Sequence, residues 1–256
     1  MSNKTTHFGY EEVDIKEKSS RVGAVFNSVT PSYDLMNDLM SFGLHRAWKR
    51  FAVSSMQLKP GHRVLDVAGG TGDLTALMHK HVGSSGQIVL SDINPSMLAH
   101  GKARLTDKGL INNIDYIVAD AESLPFPSKH FDAIMLAFGL RNMTDKSKAL
   151  RSLFRVLKPG GRLSVLEFST PTVKALSPIY DAFSMKLIPK LGKFFAHDEK
   201  SYQYLVESIR KHPDQESLKT LFEEAGFEQC RYHNLSLGIV ALHTGYKLRD
   251  ERNHHD

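Results

Sequence analysis

Cysteine is almost missing from this chain: Cys230 is the only one in 256 residues. An intrachain disulfide is therefore excluded, and the composition suits a reducing cytoplasm. Long apolar runs are missing too. No stretch approaches the roughly 18 consecutive apolar residues of a membrane-spanning helix, and Met1–Tyr10 is polar, without the apolar region of a secretory signal. Charge is present but not massed: the net is +5, Lys and Arg are scattered, and no run of five like charges occurs. Nucleic acid calls for a clustered basic surface interleaved with stacking aromatics, so the charge pattern argues against it as a partner. No metal is expected, because the histidines are dispersed and the lone cysteine has no partner at ligand spacing. Internal repeats and low-complexity segments are absent. At 41% hydrophobic, the chain can build one substantial core.

What the chain does have is centred on Arg63–Leu74, R-V-L-D-V-A-G-G-T-G-D-L. A short apolar run (Val64, Leu65, Val67) carries Asp66 and stops at Gly69-Gly70-Thr71-Gly72. A helical pattern then starts, with Asp73 in its first turn and Leu74, Leu77 and Met78 at helical spacing. Strand, glycine turn and helix together form the layout of a nucleotide-cofactor turn, in which bare glycines let backbone N–H groups approach a ligand. A dinucleotide turn would have a third glycine where Thr75 stands. Asp66 and Asp73 also place negative charge where a pyrophosphate would be repelled and an ammonium or sulfonium welcomed. The turn therefore suits S-adenosylmethionine better than a dinucleotide, with a glycine-rich structural loop as the remaining alternative.

Alternation of strand and helix follows, as a doubly wound α/β sheet requires. Strands are expected in the Val64–Val67 run and at 87–93, 114–118, 131–140 and 162–168, with helices starting at Asp73 and spanning 95–108 and 145–157. Asn94-Pro95 supplies an N-cap and a first-turn proline, and Lys158-Pro159-Gly160-Gly161 reads as a sharp turn. Residues 170–213 break the alternation with Pro171, Pro178, Pro189 and Gly192, which suggests a lid or substrate cap. A helix at 215–225 and two terminal strands, 227–237 and 239–248, complete the pattern. Before the sheet, 1–20 is polar. Helices are expected from Arg21 to Val29, at 33–40 and at 44–56. The organisation expected is an N-terminal tail and helical cap, 1–60, then a cofactor-binding domain, 61–256, with a helical insertion at 170–213.

Ligands of open α/β sheets sit beyond the carboxyl ends of the strands. Asp92 closes the second strand of the sheet, 26 positions after Asp66 (92 − 66), about where an acid takes the two ribose hydroxyls of a nucleoside. Asp120, followed by Ala121, closes the third and could accept from an adenine amino group. Each could instead be a simple N-cap or turn acid.

These segments resemble the first motif of class I S-adenosylmethionine-dependent methyltransferases. More narrowly, the chain resembles the ubiquinone/menaquinone biosynthesis C-methyltransferases (the UbiE/MenG family). The resemblance is carried by Val64–Asp73, Tyr33–Gly43, Phe138–Asn142, Arg155–Gly161, Ser201–Leu205 and Phe8-Gly9, and runs from about residue 6 to 247. It implies a seven-stranded, mostly parallel sheet and cofactor contacts at Thr71, Asp92, Asp120 and Ala121, to which the reading of the turn itself adds Asp66, Gly69 and Gly70 as cofactor-binding candidates. Asp120 stands where the family often has Asn, and Ala137 where it often has Ser.

The implied reaction methylates a ring carbon of a polyprenylated benzoquinol or naphthoquinol. Such a carbon becomes nucleophilic when a neighbouring hydroxyl is deprotonated or strongly hydrogen-bonded. Arg141 is the first candidate for stabilising the phenolate, its alternative being a structural ion pair, and Asn142 could orient the ring hydroxyl. His197, Tyr202 and Tyr204 are secondary candidates. The basic, apolar stretch Phe183–Phe195 could rest on anionic lipid at the inner face of the cytoplasmic membrane. A homodimer, or association with other quinone-pathway enzymes, is what the family suggests. The competing readings are another acceptor (RNA or a different small molecule) and a non-catalytic binding protein on the same fold.

Overall fold

The computed structural model describes residues 5–30, 37–38, 41–173 and 198–248. The sheet forms because its apolar runs are short and bounded by turn residues, and because successive side chains must leave on opposite faces. In β3 (Arg63–Val67), Val64 enters one core and Leu65 the other. With β4 (Gln87–Asp92), β5 (Ile114–Val118), β6 (Phe131–Ala137), β7 (Leu157–Phe168), β8 (Glu228–Leu235) and β9 (Val240–Tyr246), it builds a seven-stranded sheet in the order β5-β4-β3-β6-β7-β9-β8. Strands β3 to β7 pair in parallel, and β9 runs antiparallel to both of its neighbours.

The order has one functional consequence. From β3 the chain winds outward to β4 and β5, then returns to add β6 and β7 on the other side. The direction reverses between β3 and β6, and a crevice opens at such a switch point beyond the strands' carboxyl ends.

Helices α2 (His45–Ser55), α3 (Asp73–Val82), α4 (Pro95–Asp107), α5 (Lys146–Val156), α6 (Glu199–Arg210) and α7 (Gln215–Glu224) cover the sheet. One core joins Val22, Trp48, Val64, Met78, Tyr202 and Leu205; the other joins Leu65, Ile134, Leu150, Leu153, Leu218 and Phe222. Caps fall where short polar side chains stand: Asn94 accepts from Ser96 and Met97, Asp145 from Lys148, Asp198 from Ser201, and Asp214 from Ser217.

The N-terminus departs from expectation. A hairpin of β1 (Thr5–Phe8) and β2 (Glu11–Asp14) leads into α1, which spans Ile15–Val29 and so starts well before Arg21. Asp14 caps it by accepting from Lys16 N–H, and Glu17 sits in its first turn. Phe8 stacks on Tyr204 at 4.1 Å, and Tyr10 N–H donates to Glu207, so the hairpin docks on α6. The Lys158–Gly161 stretch also differs: it lies inside β7, across a bulge opposite Phe131/Ala133, with Gly160 at φ +81. Strand β6 ends at Ala137, and Leu140–Asn142 is a 3-10 turn. The helix expected at 33–40 and the stretch 183–195 lie mostly or wholly outside the described residues, as does His197.

Candidate active site

A cavity of about 310 Å³ fills the crevice at the switch point. Its floor comes from the strand ends: Val67 and Ala68 at the end of β3, Asp92 and Ile93 at the end of β4, Ala119 to Ala121 after β5, and Ala137 to Gly139 at the end of β6. Ala68 (φ +51) and Phe138 (φ +56) hold left-handed backbone without being glycine. Such strain concentrates at ligand sites. The two bends touch, since a Cβ on Gly139 would fall 2.8 Å from the Ala68 methyl.

The glycine turn divides its labour. Gly70 (φ +51) lines the cavity and donates its N–H to Asp92 Oδ2 at 3.0 Å. A Cβ there would lie 3.0 Å from Met97 Cε. Gly72 (φ +76) takes the N-cap position of α3. Gly69 makes room for Asp66, whose carboxyl carbon would be 2.9 Å from a Cβ at that position. Thr71 is buried. Neither Gly69, Thr71 nor Asp66 lines the cavity, although all three shape the turn that does.

Asp66 is fully buried; Thr75 Oγ1 donates to its Oδ2 at 2.6 Å, while its Oδ1 has no partner. Burial pushes its carboxyl up to about 7, against the Thr75 hydrogen bond that favours the anion. Thr75 at the third glycine position is thereby explained, since its hydroxyl is the partner of that acid. Asp73 pairs with Lys49 at 2.8 Å and Arg104 at 2.9 Å, so its charge is consumed within the protein.

Asp92 does face the cavity. Its Oδ1 accepts from Asn94 N–H at 2.8 Å while Oδ2 holds Gly70, leaving lone pairs on both oxygens for hydroxyl donors. Burial raises this carboxyl to about 6, and the backbone donors partly offset that. Asp120 is an N-cap, as the sequence allowed: it caps the short turn Ala121–Ser123 by accepting from Glu122 N–H at 2.9 Å, and it also lines the cavity beside Ala121.

Arg141 and Asn142 part company. Asn142 lines the cavity, and its Oδ1 accepts from Tyr204 OH at 3.0 Å. That bond turns the amide so that its NH2 remains a donor. Arg141 does not line the cavity. Its guanidinium meets Glu167 Oε1 at 2.7 Å and the Phe138 carbonyl at 2.5 Å, and its own N–H donates to Glu167 Oε2. The guanidinium named as first candidate for stabilising the phenolate instead makes the structural ion pair that was its alternative, with a carboxylate buried at the end of β7.

Sequence reasoning missed the far wall. Ile15, Ser19, Val22, Gly23 and Phe26 of α1 line the cavity opposite the strand ends. The helix is fastened by Asn94 Nδ2 donating to Asn27 Oδ1 at 2.8 Å, and by Lys18 Nζ donating to the Met143 carbonyl at 3.1 Å. Burial lowers the Lys18 ammonium to about 8. The available signal was Asp14 standing three residues before Glu17, a helix-start pattern.

These residues fit S-adenosylmethionine. An acid with spare acceptor capacity and a glycine whose Cβ would crowd the site both line one strand-end crevice, and a buried acid with an unpartnered oxygen lies behind the turn, outside the cavity. Comparison with known proteins agrees. Residues 14–247 match the model of the ubiE/COQ5 methyltransferase family. A protein of Stenotrophomonas maltophilia named ubiquinone/menaquinone biosynthesis C-methyltransferase UbiE is 58% identical over 244 residues, covering 95% of this chain and 96% of its own. A Proteus mirabilis protein of the same name is 57% identical over 248 residues, covering 97% and 99%. Among solved structures, a SAM-dependent methyltransferase from Aquifex aeolicus shares the fold, with a TM-score of 0.57 at 20% identity over 77% of this chain and 88% of that one. The sheet order, the strand-end cavity and the match over nearly the whole chain lead to one conclusion: this protein belongs to the ubiE/COQ5 methyltransferase family.

Proposed function

We infer that this protein is an S-adenosylmethionine-dependent C-methyltransferase acting on a ring carbon of a polyprenylated benzoquinol, a demethylmenaquinol or both, in ubiquinone/menaquinone biosynthesis. The observation that carries the reading is a cavity whose lining combines two chemistries. Asp92, Gly70 and Asp120 bring polar groups suited to a nucleoside, while Val22, Phe26, Phe138 and Met143 bring apolar surface suited to a ring. When bound, the cofactor supplies an electrophilic methyl group on a sulfonium.

The chain's own residues do the rest. Asp92 accepts ribose hydroxyls through charge-assisted bonds, and the Gly70 turn lets backbone approach. Phe26 and Phe138 exclude water and align the ring, which matters because an in-line displacement depends on alignment for much of its rate. The Asn142 amide donates to the ring oxygen beside the reacting carbon. A donor fixed in place beforehand favours the charge that builds on that oxygen. Arg141 acts as a positioning residue: it ties the Phe138 carbonyl and its own backbone to Glu167, which holds the turn carrying Phe138 and Asn142. The transfer would form a carbon–carbon bond as the sulfur–methyl bond breaks, S-adenosylhomocysteine would leave with the electron pair on sulfur, and the ring proton would pass to water.

Because the acceptor is a lipid, we place the protein at the inner face of the cytoplasmic membrane, held there by reversible contact. Asn142→Ala and Tyr204→Phe test the assignment of the donor. Asn142→Ala is expected to lower kcat about 100-fold and leave cofactor Kd unchanged, as loss of a fixed donor does, and Tyr204→Phe to have a smaller effect of the same kind. Unchanged kcat in Asn142→Ala would remove Asn142 from the chemistry.

A further inference from the structure

The turn between β8 and β9 contains the strangest backbone outside the active site. Ser236 (φ +46), Leu237 (φ +57) and Gly238 (φ +87) are three consecutive left-handed residues, and two of them carry side chains. Left-handed backbone is costly for a residue with a Cβ, and leucine has no local hydrogen bond to offset it. The result of this strain is that Leu237 is 56% exposed. The surroundings enforce the shape: the Leu237 carbonyl accepts from both Thr172 N–H at 2.9 Å and Thr172 Oγ1 at 3.0 Å, and a Cβ on Gly238 would meet Thr172. Trp48 Nε1 donates to Ser236 Oγ at 3.0 Å. A strained turn braced on two sides in order to expose a leucine is a feature with a use.

Other apolar groups gather around it. Trp48 joins the turn to α2, where Leu44, at the N-cap, and Phe51 fall four residues before and three after it, on the same stripe. Both are exposed, Phe51 by 40%, and Phe51 meets His233 of β8 edge-on at 6.3 Å. Val173, next to Thr172, is exposed as well. Exposed Leu44 and Phe51 thus share a helix stripe with Trp48, exposed Val173 follows the Thr172 that holds Leu237, and exposed Arg50 and Arg231 stand next to Phe51 and two residues before His233. The patch also connects to the active site, since Trp48 lies 6.5 Å between ring centroids from the cavity-lining Phe138 and 6.3 Å from Phe168.

We propose that this patch, with Leu237 as its projecting knob, is the surface through which the protein seats on an anionic lipid bilayer. The inference rests on the proposed quinol methyltransferase reading. The basic flanks complement acidic headgroups, the apolar side chains can enter the acyl boundary, and the location brings the bilayer to the wall of the cavity that must receive a lipid.

Co-sedimentation with vesicles of phosphatidylcholine alone, and with phosphatidylglycerol added, measures seating directly, using the whole protein and two variants, Leu237→Glu and Phe51→Glu. The wild type should bind the acidic vesicles at low salt and release as salt rises, and each variant should partition about tenfold more weakly. Methyl transfer to a water-soluble, short-chain quinol, assayed beside it, should be equal in all three, which separates failure at the surface from failure of the enzymatic reading. Variants that sediment with acidic vesicles as well as the wild type would overturn the proposal. So would a wild-type protein that ignores vesicles but dimerises in sedimentation velocity through this patch, as shown by loss of the dimer in Leu237→Glu.

Discussion

Replacing Glu167 with Gln tests the positioning role given to Arg141. The two side chains are 1% and 4% exposed, and their 2.7 Å contact is reinforced by Arg141 N–H and Phe168 N–H on the same carboxylate. Removing one partner from a buried pair strands the other charge without water and costs about 3 to 5 kcal/mol. With a urea dependence of about 3 kcal/mol per molar, the unfolding midpoint should fall by about 1 to 1.7 M. Arg141→Met should cost a comparable amount. The double variant should be more stable than the two losses added would allow, by about 1 to 3 kcal/mol, because neither charge is then left alone. Activity supplies the second readout. The pair holds the turn bearing Phe138 and Asn142, so Glu167→Gln should lower kcat while cofactor Kd stays constant. A midpoint shift below about 0.3 M, with additive singles and normal kcat, would refute the reasoning.

Two further outcomes follow from the buried acids. Asp92 has a carboxyl raised by burial to about 6. The folded protein therefore holds a proton that the unfolded chain releases near pH 4, so the group's contribution to stability declines as pH rises from about 4 to 6. Cofactor binding should run the other way, because ribose hydroxyls need the anion: calorimetric Kd should weaken as pH falls through about 6, and Asp92→Asn should bind weakly with that pH step removed. Thr75→Val removes the hydroxyl on Asp66 at nearly constant shape. It should push the Asp66 carboxyl higher still and cost about 1 to 3 kcal/mol, read by thermal unfolding above pH 7.

The glycine turn was legible because its cause is local. An apolar run, then glycines where left-handed backbone is required at Gly70 and Gly72, admits few conformations. Asp92 and Asp120 were legible for a related reason, since strand ends can be counted from the periodicity and the crevice lies beyond them. What escaped depends on partners distant in sequence. Lys18 is anchored by the carbonyl of Met143, 125 residues away, so nothing near α1 announces that it closes the cavity. Arg141 stands in the right segment, yet Glu167, 26 residues on, decides where its guanidinium goes. Asp66 looked like a ligand acid by position and is instead covered by its own turn, because Gly69 lets the carboxyl fold beneath the backbone.

The most direct test of the central claim follows the methyl group. S-adenosylmethionine labelled in its methyl carbon, incubated with the protein and reduced demethylated benzoquinol or naphthoquinol, should yield label on a ring carbon of the quinol, located by mass fragmentation. The same incubation with Asn142→Ala should bind cofactor normally and transfer little. Tight cofactor binding with no label in either quinol would contradict the account, leaving the fold and the cofactor site in place and removing the acceptor.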